Sequence, residues 1–416
     1  MRESRLIESM DRVVVIGAGQ AGYAAARALR DAGYDGLIAL IGDEPHPPYE
    51  RPPLSKAVLL GESDAASTYL ADHAALAVQC VDWIDDQAVK IDRADRTVRT
   101  ASGRSFDYDR LLIATGGRPR RIGLPGATLT GVHYLRALSD VAAIRESVDS
   151  GGPLVVIGGG WIGLEVAASA RKAGIGVELV EVAERLCARS LPPYAAAALL
   201  ALHRANGIGV RLGKAVRAII GEDAVAGVEL DDGTRLPARG VVVGVGMTPN
   251  IEIAASAGLA TAQGILVDED GRTDDPLIFA AGDVAETVGA TGTKRTESWA
   301  NANEQGAAVA AAMLGYPAPP RPPAWFWSDQ YGSNIQVLGE TLGAGEVIEL
   351  ADTIVGRSWL VIDNARLVGM IAIDRPRDVQ VGRRIMQRGV PVTRAALAAL
   401  GDDLAALLRQ AAVASA

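Results

Sequence analysis

Cysteine is nearly absent from this 416-residue chain, which contains only Cys80 and Cys187. The two are far apart and form no C-x-x-C pair, so neither a disulfide framework nor a cysteine-ligated metal site is expected. Such sparse cysteine usage fits a reducing cytoplasm. No apolar run approaches the ~18 residues that a membrane-spanning helix needs, and residues 1–10 lack the apolar core of an export signal. The sequence therefore predicts a cytoplasmic protein with no metal and no membrane span.

Phenylalanine is scarce, and so is net positive charge. The chain has 3 phenylalanines against 47 glycines, a balance that favours many tight strand-to-helix turns. Its formal net charge of −9 argues against binding to nucleic acid or to an anionic membrane, although a local basic face is compatible with it. Because this length exceeds what one hydrophobic core usually supports, about two to three domains are expected.

The same supersecondary unit occurs twice in the first half of the chain. An apolar run at residues 13–16 leads through a glycine-rich turn into a helical stretch and a second apolar run at 37–41. Residues 154–157, 164–172 and 177–180 repeat this order of strand, helix and strand. Duplication of one βαβ unit is the simplest account of the repeat.

A change of pattern marks a further domain near the C-terminus. After a proline-rich stretch at 317–323 the chain changes to short alternating strands and ends in two predicted helices, at 379–388 and 395–408, the second of which is expected to pack on a core. The predicted strands are 335–338, 347–350 and 359–362.

The fold class that follows is α/β, with two Rossmann-like dinucleotide-binding domains and a C-terminal α+β domain. A linker at 119–125 and a return crossing near 248–250 make the first domain discontinuous. The predicted boundaries are 1–118 with 251–323 for the first domain, 119–250 for the second and 324–416 for the third.

Each βαβ unit carries a G-x-G-x-x-G fingerprint directly after its first strand. In such a motif the first glycine makes the tight turn, the second lets the backbone approach a pyrophosphate, and the third lets the helix pack closely on the strand. Two fingerprints in this context predict two bound dinucleotides. The fingerprint glycines are Gly17, Gly19 and Gly22 in the first unit and Gly158, Gly160 and Gly163 in the second.

A carboxylate after the second strand of each unit is expected to accept hydrogen bonds from an adenosine ribose. Asp43 stands at this place in the first unit, with Glu44 as the competing choice, and Glu181 in the second. Because a carboxylate repels a 2′-phosphate, Glu181 favours NADH over NADPH. Arg185 and Arg189 lie nearby and weaken this preference, since an arginine can serve the phosphate.

Two further motifs narrow the class: Leu-Leu-Ile-Ala-Thr-Gly at 111–116 and Ile-Phe-Ala-Ala-Gly-Asp at 278–283. With the fingerprints, they resemble the two-dinucleotide-domain flavoprotein superfamily over nearly the whole chain. Within it, residues 51–56, 295–302 and 326–330 are similar to the group of putidaredoxin reductase and biphenyl dioxygenase ferredoxin reductase. The resemblance implies hydride transfer from NADH to FAD, then single electrons to a two-iron two-sulfur ferredoxin that serves an oxygenase.

The same resemblance implies roles for single residues. The predicted catalytic residues are Lys56 beside the flavin N5, Glu165 near the nicotinamide, and Trp327 at the isoalloxazine on the side that faces the redox partner. Lys56 and Trp327 would also contact the cofactor, whereas Trp325 is expected to be a core aromatic. The other implied cofactor contacts are Ala21, Arg51, Ala88, Thr115, Gly116, Arg136, Ile162, Gly246, Gly282, Asp283, Glu297 and Trp299.

The lack of cysteine also bears on the electron acceptor. Disulfide reductases of the superfamily need a cysteine pair beside the flavin, and its oxidases commonly need one redox cysteine, yet residues 48–56 contain none. Cys80 lies in an apolar, strand-like context and Cys187 in the second domain, so both are expected to be structural. The alternatives are an NADH oxidase that uses oxygen directly and a signalling flavoprotein similar to apoptosis-inducing factor.

Arginines reverse the local charge between residues 374 and 394. They are interpreted either as a docking face for an acidic ferredoxin or as a solvated helix face paired with its own carboxylates. The sequence leaves open the oligomeric state, with a weak homodimer as one option, the role of residues 1–10, and which ferredoxin and oxygenase are served. The arginines are Arg375, Arg377, Arg383, Arg384, Arg388 and Arg394, against Asp374 and Asp378.

Overall fold

The computed structural model describes residues 10–289, 292–352 and 356–414, so the leading segment 1–9 lies outside the described residues. The strands are β1 (Arg12–Ile16), β2 (Leu37–Gly42), β3 (Val81–Asp85), β4 (Ala88–Asp92), β5 (Thr97–Thr100), β6 (Ser105–Asp107), β7 (Arg110–Ile113), β8 (Gly117–Pro119), β9 (Val132–His133), β10 (Leu154–Ile157), β11 (Val177–Glu181), β12 (Gly209–Leu212), β13 (Val216–Gly221), β14 (Val225–Leu230), β15 (Arg235–Pro237), β16 (Gly240–Val243), β17 (Met247–Pro249), β18 (Ile265–Val267), β19 (Ile278–Ala280), β20 (Ala285–Gly289), β21 (Gly292–Lys294), β22 (Trp325–Gln330), β23 (Ser333–Gly339), β24 (Glu346–Asp352), β25 (Gly356–Asp363) and β26 (Arg366–Ile373). The α-helices are α1 (Gln20–Asp31), α2 (Ala57–Leu60), α3 (His73–Val78), α4 (Leu138–Asp149), α5 (Trp161–Lys172), α6 (Pro193–Ala205), α7 (Glu252–Ser256), α8 (Trp299–Met313), α9 (Pro376–Arg388), α10 (Arg394–Ala399) and α11 (Leu404–Ala414).

The described residues divide into two compact units. The first contains residues 10–52, Asp64–Arg118 and Met247–Arg321, and the second contains Pro53–Ser63, Pro119–Gly246 and residues 322–414. The short segment Pro53–Ser63 thus packs with the second unit. The three predicted domain boundaries stay a prediction.

A five-stranded parallel sheet in the order β19-β7-β1-β2-β3 forms the centre of the first unit. Along β1, Val13 and Val15 join a core cluster with residues of α1 and α8, whereas Val14 and Ile16 join a second cluster on the opposite face. Alternate residues of a strand point to opposite faces, so a parallel sheet that is covered on both faces needs a continuous apolar run.

The second unit contains two sheets of different character. Strands β12-β11-β10-β16-β9 form a parallel sheet, and β22-β23-β26-β25-β24 form an antiparallel one. The antiparallel sheet packs with α9, α10 and α11 around a common core that includes Leu338, Leu360 and Ile385. These sheets confirm the predicted α/β fold with two dinucleotide-binding folds and a C-terminal α+β region.

The last predicted helix is wrong in one respect. Instead of one helix at 395–408 the chain forms α10 and α11, because Gly401 adopts a left-handed φ of +64° and the side chain of Asp403 starts a new helix. Oδ1 of Asp403 accepts hydrogen bonds from the N–H groups of Ala405 and Ala406, at 2.8 and 3.0 Å. The predicted packing is confirmed, since Leu404 and Leu407 belong to the core. None of the described helices is long and apolar enough to cross a membrane.

Candidate functional site

The first glycine fingerprint forms a turn whose outer glycines are packed and whose middle glycine is open. Gly17 has φ +111°, and a Cβ at this position would lie 2.2 Å from the carbonyl oxygen of Ala114; at Gly22 it would lie 2.0 Å from the oxygen of Gly17. At Gly19, which caps α1, a Cβ would meet nothing within 4 Å. The open position is where a pyrophosphate would approach the backbone.

The second fingerprint repeats this pattern in the other unit. A Cβ at Gly158, where φ is +108°, would lie 2.4 Å from the oxygen of Gly244, and at Gly163 it would lie 2.1 Å from the oxygen of Gly158. At Gly160, the cap of α5, the nearest atom would be 3.9 Å away. Ile162, in the first turn of α5, is 45% exposed, so apolar surface lies beside the open turn.

The predicted cofactor residues gather at the carboxyl ends of the parallel strands, where open α/β sheets bind ligands. In the first unit, Gly17 and Gly19 follow β1, Asp43 follows β2, Thr115 and Gly116 follow β7, and Gly282 and Asp283 follow β19. In the second unit, Gly158 and Gly160 follow β10, Glu181 ends β11, Gly246 follows β16, and Arg136 follows β9.

Close contacts hold the edge of the first sheet together. A Cβ on Gly282 would lie 2.9 Å from the Cβ of Ala21, and the N–H of Gly282 donates to Oε1 of Gln305 at 2.8 Å. Thr115 donates from its hydroxyl to the carbonyl oxygen of Asn250 at 2.8 Å, and the N–H of Asn250 donates to Gly116 at 3.0 Å. Ala88 begins β4 and packs, partly buried, against the core of the first unit.

The two candidate ribose ligands of the first unit differ in their surroundings. Glu44 accepts hydrogen bonds from the hydroxyl of Tyr49 and, at 2.5 Å, from the guanidinium of Arg51. Asp43 is exposed and forms no hydrogen bond or ion pair with the residues that the structure describes. Glu44 is therefore committed to an internal pair, and Asp43 is the carboxylate that remains available to a ligand.

Glu181 of the second unit bonds directly to the glycine turn. Its Oε2 accepts from the N–H of Gly159 at 2.6 Å, and its Oε1 accepts from the N–H of Ala183 at 2.7 Å. Arg185 donates to the carbonyl of Ala188 at 3.0 Å, and the guanidinium of Arg189 lies beside Gly246. The backbone thus fixes the orientation of the strand-end carboxylate.

Three other predicted cofactor residues of the first unit, Trp299, Glu297 and Asp283, form hydrogen bonds with neighbouring residues. Trp299 begins α8 and donates from Nε1 to Oε1 of Glu50 at 3.0 Å. Arg295 donates to the carboxylate of Glu297 and to the backbone oxygen of Asp283, the latter at 3.2 Å. In the second unit the N–H of Arg136 donates to the carboxylate of Asp140 at 2.8 Å.

Lys56 and Glu165 form an ion pair within the second unit, between a partly buried lysine and a buried glutamate. Nζ of Lys56 lies 2.9 Å from Oε1 of Glu165, which is only 4% exposed. The carboxylate also accepts from the hydroxyl of Ser328 at 2.6 Å and, at Oε2, from the hydroxyl of Ser55 at 2.5 Å. Burying a carboxylate is unfavourable unless cations and donors surround it, and this one has one cation and two hydroxyls.

Trp327 is the third predicted catalytic residue, and its ring stacks on Trp325. The ring centroids are 5.0 Å apart with an interplanar angle of 18°, and the guanidinium of Arg383 lies 5.1 Å from the centroid of Trp325. Trp325 packs, partly buried, against the C-terminal core, as predicted, and donates from Nε1 to Gln336 at 2.9 Å. The stack connects Trp327 to the arginine-rich helix α9.

The six arginines of the C-terminal region lie in three different settings. Arg375 pairs with Asp378 at 2.6 Å and Arg394 with Glu346 at 2.8 Å, so both are paired with carboxylates, and the Arg394 pair is the one exposed to solvent. Arg377, Arg384 and Arg388 are exposed and lie seven and four residues apart on α9, on one side of the helix. Arg383 lies over Trp325.

The cysteines do not form a redox centre in the described part of the chain. Cys187 is buried, and burial raises the pKa of its thiol, in line with the predicted structural role. The strand-like context predicted for Cys80 is wrong, since this residue is exposed and has φ +55° in the turn before β3. Among the residues that the structure describes, no cluster of three or more His, Cys, Asp or Glu side chains could hold a metal.

Four residues of the cluster around Glu165 were assigned no role from the sequence. Ser55 and Ser328 contact Glu165, while Gln330 and the buried His203 extend the cluster by further hydrogen bonds. Ser328 and Gln330 are two residues apart on β22, and such polar residues on the buried face of a strand are the signal that could have identified them.

The class that this arrangement defines is that of proteins with two dinucleotide-binding folds, each with an open glycine turn at its own sheet edge. The chain belongs to the pyridine nucleotide-disulphide oxidoreductase family, whose model matches residues 11–306, and a second model, Reductase C-terminal, matches residues 325–408. Together these models cover both dinucleotide-binding folds and the C-terminal region.

Curated relatives match over almost their whole length. Rhodocoxin reductase of Rhodococcus erythropolis is 40% identical over 92% of this chain and 90% of the relative. The ferredoxin--NAD(+) reductase component of the biphenyl dioxygenase system of Paraburkholderia xenovorans is 37% identical over 96% of this chain and 99% of the relative. Both alignments are long enough to include the C-terminal region as well as the two dinucleotide-binding folds.

Two solved structures have the same fold as this chain. The ferredoxin reductase for the CYP199A2 system of Rhodopseudomonas palustris superposes with a TM-score of 0.91 at 41% identity, covering 95% of this chain and 98% of that one. The reductase in the covalent putidaredoxin reductase-putidaredoxin complex also gives 0.91, at 36% identity, covering 96% and 98%.

Proposed function

We propose that this chain is an FAD-dependent NADH:ferredoxin reductase that supplies single electrons to a two-iron two-sulfur ferredoxin of an oxygenase system. The observation that carries the proposal is the duplicated glycine turn, packed at its outer glycines and open at Gly19 and Gly160, because it provides two dinucleotide sites in one chain. Relatives that are 37–40% identical over more than 90% of this chain are reductases of ferredoxin-type partners, which supports the same acceptor.

The first glycine turn suits FAD. Gly19 leaves open space where the pyrophosphate backbone would lie, and the N-terminus of α1 provides N–H donors there. Asp43 is exposed at the end of β2 and carries the ribose hydrogen bonds, since Glu44 is bound to Arg51 and Tyr49. An acceptor-only carboxylate is suited to the two hydroxyls of a ribose.

The second glycine turn suits NADH. Glu181 holds its carboxylate against the turn through Gly159 and Ala183, and each oxygen keeps a further lone pair for a ribose hydroxyl. A 2′-phosphate at this place would meet a fixed negative charge, so NADPH is disfavoured. Arg189 borders Gly246 and could only partly offset that repulsion.

When bound, FAD supplies the chemistry that takes a hydride from NADH and releases its electrons one at a time. Lys56 contributes a fixed positive charge for the negative charge that builds up on the flavin. Glu165 orients the Lys56 ammonium through their 2.9 Å contact, and the hydroxyls of Ser55 and Ser328 offset the buried negative charge. Trp327, stacked on Trp325, forms the side that faces the ferredoxin.

No thiol takes part in this electron path, although the family is named for disulphide chemistry. Residues 48–56 contain no cysteine, and Cys187 is buried with a raised thiol pKa. This favours a one-electron carrier over a disulfide as the acceptor. The cytoplasmic location and a weak homodimer stay predictions.

The test is to purify the protein with FAD, reduce it anaerobically with NADH and follow electron transfer to a two-iron two-sulfur ferredoxin. Lys56→Met should slow flavin reduction by on the order of 100-fold because a fixed cation is lost. The matched control is Lys172→Met, which breaks the exposed Lys172–Glu62 ion pair and should leave the rate unchanged. If, in a parallel assay in air, oxygen takes up all the electrons while ferredoxin stays oxidised, the enzyme is an NADH oxidase.

A further inference from the structure

A chain of hydrogen bonds leads from the partly buried Tyr331 through three buried side chains to the buried Glu165 within the second unit. His203 and Ser328 are 0% exposed and Gln330 is 1% exposed, so the inner links are shielded from solvent. The links are Tyr331 Oη to His203 Nδ1 at 3.0 Å, His203 Nε2 to Gln330 Oε1 at 2.7 Å, Gln330 Nε2 to Ser328 Oγ at 2.9 Å, and Ser328 Oγ to Glu165 Oε1 at 2.6 Å.

Three elements of the second unit position these groups. β22 places Ser328 and Gln330 two residues apart, on the same face of the strand, while α5 supplies Glu165 and α6 supplies His203. The ring of Tyr331 meets the ring of His203 edge-on, with centroids 5.2 Å apart. Each side chain is therefore held in place both by its hydrogen-bond partners and by the helix or strand that carries it.

The ionised carboxylate of Glu165 decides the direction of every link. A carboxylate only accepts, so Ser328 donates to it and must accept from the NH₂ group of Gln330. The oxygen of Gln330 then faces His203 and requires a proton on Nε2, which leaves Nδ1 to accept from the hydroxyl of Tyr331. If the amide were flipped, its oxygen would need the Ser328 proton and the hydroxyl lone pair would face the Glu165 anion.

The hydrogen-bonded groups polarise one another but do not conduct protons. The amide of Gln330 stands in their middle, and an amide cannot take a proton at oxygen and release one from nitrogen without first becoming an unstable tautomer. Aligned donors of this kind polarise one another, so each link strengthens the next in a low-dielectric interior. The net effect is partial positive charge directed at Oε1 of Glu165.

We propose that His203, Gln330 and Ser328 are positioning residues that act through Glu165 on Lys56 and so make the bound flavin easier to reduce. This inference rests on the proposed function, in which Lys56 is the cation beside the flavin. The donors draw negative charge away from Oε1, so the Glu165 carboxylate offsets less of the positive charge on the Lys56 ammonium. More of its positive charge is then available to the flavin.

The decisive measurement is the midpoint potential of the flavin in the FAD-loaded protein. Ser328→Ala removes the last donor, and the ratio of reduced to oxidised flavin at a fixed electrode potential should fall about three- to tenfold, the effect of one hydrogen bond. Ser328→Thr keeps the hydroxyl and should restore the ratio. Gln330→Met breaks the chain one link earlier and should lower the ratio in the same direction, which provides a second variant if Ser328→Ala folds poorly.

A matched control separates this role from a merely structural one. Ser358 is also 0% exposed and donates from its hydroxyl to a carboxylate, Oδ2 of Asp378, at 2.8 Å. Ser358→Ala removes the same type of bond from a different part of the second unit. It should lower thermal stability about as much as Ser328→Ala does and leave the flavin potential unchanged.

A second readout needs no turnover. The protein has 4 histidines, so ¹⁵N spectra of histidine-labelled protein should resolve them. In these spectra His203 should be neutral at pH 7, with its proton on Nε2. A proton on Nδ1 with a bare Nε2 would overturn the direction of the chain. So would a potential that is unchanged, or higher, in both Ser328→Ala and Gln330→Met. A wild-type protein that binds no FAD, or whose FAD is not reduced by NADH, would instead contradict the proposed function.

Discussion

Oε2 of Glu181 accepts a 2.6 Å hydrogen bond from the N–H of Gly159, so the acid that ends β11 is bound directly to the turn of the second glycine fingerprint. The N–H of Ala183 fixes the other oxygen at 2.7 Å. Because both oxygens are held before a nucleotide arrives, little side-chain ordering remains for the binding step.

We therefore predict a strong preference for NADH that depends on Glu181. Glu181→Ala should reduce the preference for NADH over NADPH, measured as the ratio of the two kcat/KM values and expressed as a free energy, by about 1 to 3 kcal/mol. The reason is that a charge-assisted ribose hydrogen bond and the repulsion of a 2′-phosphate are both lost. The control is Glu178→Ala on the same strand, which pairs with Arg211 and should not alter the ratio. Equal efficiency with both nucleotides in the wild-type protein would contradict the assignment.

Replacing both cysteines by serine should leave electron transfer largely intact. Cys80 is exposed, and burial raises the pKa of Cys187, so at neutral pH Cys187 is a protonated thiol without nucleophilic character. We expect the rates of flavin reduction by NADH and of ferredoxin reduction to change by less than about twofold, as stopped-flow spectroscopy would show. Loss of flavin reduction with FAD still bound would point to thiol chemistry.

His203 should make the protein less stable in mild acid. Burial lowers its pKa from 6.5 to about 4, so the unfolded chain binds a proton between these values that the folded chain does not. Stability therefore falls as the pH drops below 6.5, by about 2 kcal/mol between pH 7.5 and pH 5. The check is urea denaturation at both pH values.

Other groups titrate in this range, so the His203 contribution is read as a difference between variants. His203→Gln should show a smaller loss of stability between pH 7.5 and pH 5 than the wild type. His73→Gln, at an exposed site in the first turn of α3, is the control and should retain the wild-type loss. An equal loss in His203→Gln and the wild type would mean that His203 is not the group responsible.

The sheets could be predicted because their signal is local. Continuous apolar runs followed by glycine turns identified β1, β2, β10 and β11 to within a residue or two. The break between α10 and α11 was also local, since Gly401 and Asp403 are a stop and a start signal, and it was missed because the leucines on both sides continue a helical pattern.

The cluster around Glu165 could not be predicted in the same way. Ser55 is 110 residues and Ser328 is 163 residues from Glu165 in sequence, so no periodic pattern connects them. Lys56 and Glu165 were identified only by family resemblance. Ser328 was part of the matched motif at residues 326–330 but had no role assigned to it. His203, in an alanine- and leucine-rich helix, had no signal of its own, because its role arises from tertiary packing.

The arginines between residues 375 and 394 could be assigned only once their partners were known. In sequence, Arg375 and Arg394 look the same as Arg384, yet each forms an ion pair with a carboxylate of its own unit. Arg377, Arg384 and Arg388 are left as an exposed basic face on an acidic chain.

We predict that this face attracts the ferredoxin and has no part in flavin chemistry. An acidic protein and an acidic partner repel each other at long range, so a local patch of opposite sign raises the rate of productive encounter. Arg377→Glu/Arg384→Glu should slow ferredoxin reduction about tenfold at low salt, mainly by raising the KM for ferredoxin. Arg383 is left unchanged because it covers Trp325, and its loss would also disturb the stack with Trp327.

Salt and a charge-matched control complete the test of the docking face. Charges interact over a Debye length of about 8 Å at physiological ionic strength, so added salt should reduce the difference between this variant and the wild type. Flavin reduction by NADH should be the same in both. Arg204→Glu/Arg217→Glu makes the same change in net charge at exposed sites elsewhere in the second unit. If it slows ferredoxin reduction equally, the effect is one of total charge and α9 is an ordinary solvated helix.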